Sequence, residues 1–94
     1  MNPHHALGYG IKDFIEKADK YTSSGPRTSY NVGIISGGTS INSIPFKSSM
    51  QIDIRSVEPY RLDDMEEILF NSMQSALKDQ NEMKRIGPDL KLTI

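Results

Sequence analysis

NVGIISGGTSINSIPFKSSMQIDIR, residues 31–55, holds the choice of fold. Its second half is the plainer one. Met50, Ile52 and Ile54 alternate with Gln51, Asp53 and Arg55, the two-residue period of a strand with one buried face. That strand runs over residues 49–57, and Glu58-Pro59 ends it. The first half opens on another alternation. Tyr30, Val32 and Ile34 stand against Ser29, Asn31 and Gly33, which predicts a strand over residues 29–35. Between the two lies GGTSINSIP, residues 37–45, too long for a plain hairpin turn. With the turn at residues 45–48, Ile44 pairs with Ser49 and Asn42 with Gln51. Asn42 then shares the open face of the sheet with Gln51, Asp53 and Arg55. Carrying that parity backwards would put Val32 and Ile34 on the open face too, whereas both suit a core. A slip of one residue reverses every side chain, and glycine is the residue a bulge favours. The expectation is a bulge at Gly37-Gly38 inside one long bent strand. Asn42 would then face the same way as Arg55, about four residues or on the order of 14 Å from it along the sheet.

Helical patterns flank this stretch. Asn2 suits a cap and Pro3 the first helical position. Leu7, Ile11, Phe14, Ile15 and Ala18 follow with helical spacing. Gly8 and Gly10 weaken this helix, each by roughly 1 kcal/mol against Ala in an exposed interior. They either fray its first turn or let another backbone come close. Residues 22–26 read as a loop. A second helix begins near Arg61, with Asp63 and Asp64 in its first turn, where the helix dipole favours acids. Leu62, Met65, Leu69, Met73, Ala76 and Leu77 form its apolar stripe. Lys84 and Arg85 come late, and Gly87-Pro88 stops it. Leu90, Leu92 and Ile94 alternate with Lys91 and Thr93, a last strand. The order helix, strand, strand, helix, strand predicts an α+β two-layer sandwich, with two helices on one face of an antiparallel sheet. It matches a ferredoxin-like βαββαβ unit without its first strand. That strand is central in such a unit. Either the last strand closes up against residues 49–57, or another chain supplies the pairing.

A chain of 94 residues suits one domain. A core of this size stabilises only marginally, so a partner surface would help. The net charge of -1 excludes the footprint of a nucleic-acid binder or a basic membrane helix. An RNA-binding sheet would need stacking aromatics where the middle strand offers Gln51, Asp53 and Arg55. There is no cysteine, hence no disulfide framework and no thiolate metal site, which fits a reducing, cytoplasmic setting. No apolar stretch approaches the ~20 residues that span a bilayer, and no signal-peptide pattern is present. A helix begins directly after Met1, and Ile94 stands inside a strand. Residues 1–94 therefore read as a single domain excised from a longer protein.

The chain offers little chemistry of its own. Asn42 and Arg55 either bind a ligand carboxylate or amide, Arg55 through its planar fork of donors, or they are a turn-stabilising Asn and a surface Arg paired with Asp53 or Asp64. GGTS lacks the following Lys and helix of a phosphate-cradling loop. His4 and His5 are adjacent at a helix start and point apart, a poor metal pair. Asp63, Asp64, Glu66 and Glu67 form a solvated helix face, and no Ser-His-Asp set can be assembled. No catalytic residue and no metal ligand is assigned in this chain.

Three motifs in order carry a family resemblance. N-V-G-I-I-S-G-G (residues 31–38) precedes N-x-I-P (residues 42–45), and Q-I-D-I-R (residues 51–55) follows. Their spacing resembles the dimerisation, or lid, domain of zinc exopeptidases related to peptidase T, carboxypeptidase G, aminoacylase and acetylornithine deacetylase. N-P-H-H-A-L-G (residues 2–8) is similar to the start of the lid-domain helix in one branch of that family. The resemblance covers nearly the whole chain. It implies a parent hydrolase whose separate catalytic domain holds two zinc ions, with a Glu acting as base on metal-bound water. The lid is inserted into that domain, mediates homodimerisation and reaches the active site, so the fragment alone would be inactive. By position, Asn42 matches the family's Asn that contacts a peptide or acylamino-acid substrate. Arg55 matches the Arg that holds a substrate's free carboxylate. The resemblance implies a homodimer through the edge strand, Tyr30, Asn31, Val32, Gly33 and Ile34, together with the first helix, extending the sheet across a two-fold axis. The family's lid-domain His follows the first strand, so neither His4 nor His5 takes that role. Tyr9 and Gly10 stand where Arg-Ala is more usual. A different reading makes the chain a stand-alone ferredoxin-like regulatory module that binds a small molecule in the loop of residues 37–42.

Overall fold

The computed structural model describes residues 2–83. They form α1 (Pro3–Thr22), β1 (Thr28–Ser36), β2 (Ser49–Ser56) and α2 (Pro59–Met83). β1 and β2 pair antiparallel, and both helices lie on one face of the hairpin, the predicted α+β arrangement. The expected last strand, with Leu90, Leu92 and Ile94, lies outside the described residues, as do Lys84, Arg85 and the Gly87-Pro88 stop.

α1 begins as its first residues direct. The Asn2 side chain accepts the His4 N–H at 2.9 Å, and Pro3 follows the cap. Leu7, Phe14 and Ala18 are buried, with Ile11 half-buried. The two glycines differ in role. Gly10 is buried, and a Cβ there would lie 2.4 Å from the Met73 Sδ, so it seats α2 against α1. Gly8 faces open space. α2 starts at Pro59 rather than near Arg61, because proline's fixed φ suits a first helical position. Asp63 and Asp64 accordingly fall beyond the first turn. Met65, Met73 and Ala76 of the predicted stripe are buried, Leu69 and Leu77 are half-buried, and Leu62 is exposed.

The core sits where Phe14, Ala18 and Met65 meet the half-buried Tyr30, Ile52 and Ile54 of the sheet. Phe14 and Tyr30 pack edge to face, with ring centroids 5.1 Å apart. The Tyr30 hydroxyl donates to Asp19, which ties β1 to α1, and the Tyr21 hydroxyl donates to Asp64, which ties α1 to α2.

The hairpin differs from expectation at its centre. A register shift does occur, but between Val32 and Ile34, so the extra residue is Gly33 and not the Gly37-Gly38 pair. Upstream, Tyr30 and Val32 stand opposite Ile54 and Ile52. Downstream, Ile34 stands opposite Gln51, so it leaves the core face and is 53 % exposed. Gly37 and Gly38 end the strand instead, with φ of 135° and 94°. The long bent strand and the turn at residues 45–48 are thus replaced by one loop over residues 37–48.

Arg61 is the residue that sequence reasoning passed over. It is buried, and among the described residues it forms no ion pair with a carboxylate. Nε donates to Thr28 Oγ1 at 2.9 Å, and Nη2 donates to the carbonyls of Tyr21 at 3.1 Å and Ser24 at 2.8 Å. These carbonyls lie at and just past the C-terminus of α1, where the helix dipole favours a cation. Its guanidinium also lies 4.0 Å from the centre of the Tyr21 ring. Gly25 (φ 80°) makes room, since a Cβ there would be 2.5 Å from Arg61 Nη1.

Candidate functional site

Loop 37–48 carries one of the two predicted contact residues. Its base is closed by the Ser36 and Ser49 hydroxyls, 2.8 Å apart. A Cβ on Gly37 would lie 2.5 Å from the Lys47 carbonyl oxygen, so the two ends of the loop touch through backbone. The His4 ring stands beside them, with Nδ1 2.6 Å from the Ser48 hydroxyl. Pro45 is buried, while Ile41 and Phe46 are fully exposed.

Asn42 is exposed near the middle of this loop and does not pair with Gln51. Its Oδ1 accepts from Ser40 at 3.1 Å, and the Ser40 and Ser43 hydroxyls are 2.7 Å apart. That small polar cluster shapes the turn and leaves the Asn42 Nδ2 without a partner among the described residues.

Arg55 lies on the open face of β2, opposite Ser29, with an 80 % exposed side chain. Its Nε meets Asp53 Oδ2 at 2.8 Å, the surface pairing anticipated from sequence, and Asp64 is instead taken by Tyr21. An exposed pair of this kind contributes on the order of 0–1 kcal/mol, so another carboxylate can take Arg55 from Asp53 at little cost. No contact among the described residues joins Asn42 to Arg55. The strand register behind the expected spacing of the two is not formed, because residues 37–44 are loop.

A separate groove of about 340 Å³ runs between α1 and α2, lined in part by Tyr9, Asp13, Glu16, Ser72 and Asp79. Lys17 holds Asp13 at 2.8 Å and lowers its pKa, and Lys12 lies 3.7 Å from Glu16. Two of its carboxylates are therefore already paired. His5 is exposed, and among the described residues no three His, Cys, Asp or Glu side chains converge where a metal ion would sit. Among the same residues, no helix is long and apolar enough to cross a membrane.

β1 presents its outer edge unpaired among the described residues. Along it lie Tyr30, Asn31, Val32, Gly33 and Ile34, with Ile34 and Ile35 both more than half exposed. Asp19 and Phe14 of α1 brace Tyr30 from behind. Among known families, the peptidase dimerisation domain matches residues 1–81. A search of curated proteins finds no match.

Proposed function

The chain belongs to the peptidase dimerisation-domain family, and on that premise we propose that it is the dimerisation and substrate-contacting lid of a zinc-dependent exopeptidase or amidohydrolase. The parent, a cytoplasmic hydrolase, would cleave peptide or N-acyl amino acid bonds in a separate catalytic domain of the same chain. The lid alone would have no activity. Both zinc ions would be held by that catalytic domain; among the described residues of this chain no three His, Cys, Asp or Glu side chains converge.

The observation that supports self-association is the open edge of β1. Among the described residues its backbone groups are unpaired along one side, and the exposed Ile34 and Ile35 flank them. A second copy related by a two-fold axis would continue the sheet through this edge and set the two α1 helices near each other. Light scattering on the chain tests this. A mass of two chains is expected, with Ile34→Lys reducing it to one while leaving the circular dichroism spectrum intact. A single-chain mass for the unmodified protein at high concentration would overturn it.

Asn42 and Arg55 are the proposed substrate contacts. Support comes from their open side chains: among the described residues the Asn42 Nδ2 has no partner and Arg55 is held by an exposed Asp53. In the parent enzyme, Arg55→Ala is expected to raise KM for substrates with a free carboxylate by about tenfold or more, the loss of one charge-assisted contact. Unchanged cleavage of such substrates would remove Arg55 from the site.

A further inference from the structure

The geometry points to His4 as a positioning residue that latches loop 37–48, and with it Asn42, to the start of α1. What the loop does rests on the function proposed above; how it is held does not. A segment this exposed has few ties to the body of the domain. Of its side chains, only Pro45 is buried, and Ser48 is half-buried. The His4 ring meets both of its ends. Nδ1 bonds the Ser48 hydroxyl at 2.6 Å, and Cε1 and Nε2 stand 2.9 Å and 3.3 Å from where a Cβ would be on Gly37 and Gly38. The two glycines are thus required twice, by their positive φ and by the imidazole packed over them. His4 is itself fixed, since its N–H is the donor that Asn2 caps. Ordering at the helix start therefore passes through one ring to the loop base.

Serine suits this position because a hydroxyl can both donate and accept, so the Ser48–Nδ1 contact forms with either ring tautomer. Asn2 and His4 fall in the N-P-H-H segment, and the latch gives the first of its histidines a use.

Hydrogen–deuterium exchange on the full chain, read by mass spectrometry, tests the latch. His4→Ala is expected to speed exchange of peptides within residues 37–48 by about five- to tenfold, the effect of one lost hydrogen bond on local opening. Ser48→Ala, which deletes only a hydroxyl, should do the same. The double variant should exchange no faster than His4→Ala, and His4→Asn, which places an amide near the position of Nδ1, should recover most of the protection. Peptides from α2 serve as the internal control and should not change. Loop exchange that stays at the unmodified rate in both His4→Ala and Ser48→Ala overturns the latch. In the parent enzyme, His4→Ala should also raise KM with little change in kcat. Faster loop exchange with KM unmoved would support the latch and overturn the substrate role of Asn42, so the two readings fail separately.

Discussion

At the scale of single residues, the two glycines of α1 make a controlled comparison. Gly8 meets nothing within 4 Å, while Gly10 is filled from outside by Met73. Gly8→Ala should raise the unfolding free energy by up to about 1 kcal/mol through helix propensity alone. Gly10→Ala gains the same propensity but must displace a methionine sulfur, and a net loss of about 1 kcal/mol is expected. Urea denaturation of the two variants checks the difference in sign. Tyr30 supplies a test against pH. Burial first, and then the hydrogen bond and charge of Asp19, push its pKa up from 10.0 to about 12. The folded value is the higher one, so Tyr30 contributes stability that is fully present below its unfolded pKa. That stability is lost as pH rises through about 12. Ultraviolet titration of the phenolates should show a late component near pH 12, and Asp19→Asn should bring it down. Sequence periodicity exposed the burial of Phe14 and Ala18 but not the separation of Gly8 from Gly10. That separation depends on where Met73 of a distant helix comes to lie.

At the scale of elements, α1, β2 and the body of α2 were legible because each repeats its pattern over several turns or pairs. Loop 37–48 was not. Gly37 and Gly38 carried a true signal, a backbone that only glycine adopts easily, but strand parity assigned it to a bulge. The actual bulge at Gly33 has no left-handed φ and follows from how β1 meets β2, which no local rule displays. The elbow from α1 to β1 was hidden for a similar reason. Arg61 reads as a helix-surface cation until the C-terminus of α1 is brought against it. Replacing it leaves two carbonyls and the Thr28 hydroxyl without their donor. Arg61→Ala should therefore cost about 3 kcal/mol or more, by thermal or urea unfolding. Arg61→Lys should recover little, because an ammonium can neither fork to the same acceptors nor stack on Tyr21.

At the scale of the whole molecule, the described core is thin. Phe14, Ala18 and Met65 form its fully buried centre, and the apolar residues of β2 are only half covered. A domain so built is expected to draw part of its stability from association. Its Tm should then rise with protein concentration, and Ile34→Lys should abolish that dependence. Calorimetry across a hundredfold range of concentration checks both. Fold class and membership were readable because they rest on element order and on three motifs in fixed spacing. The placement of Asn42 relative to Arg55 was not readable, since it depends on the path of a loop whose length conveys nothing about its direction.

Loop 37–48 also divides the chain into two pieces of nearly equal weight, α1 with β1 before it and β2 with α2 after it. Phe46 is fully exposed in that loop, a ready target for a protease that cuts after aromatic residues. The core is shared between the two pieces, with Phe14, Ala18 and Tyr30 on one side and Met65, Ile52 and Ile54 on the other, and Arg61 reaches back across to Thr28. A cut after Phe46 should therefore leave two fragments that stay together without a covalent link and separate only in denaturant. The same division makes the loop a natural place to open the chain, so that separately produced halves could reassemble the domain.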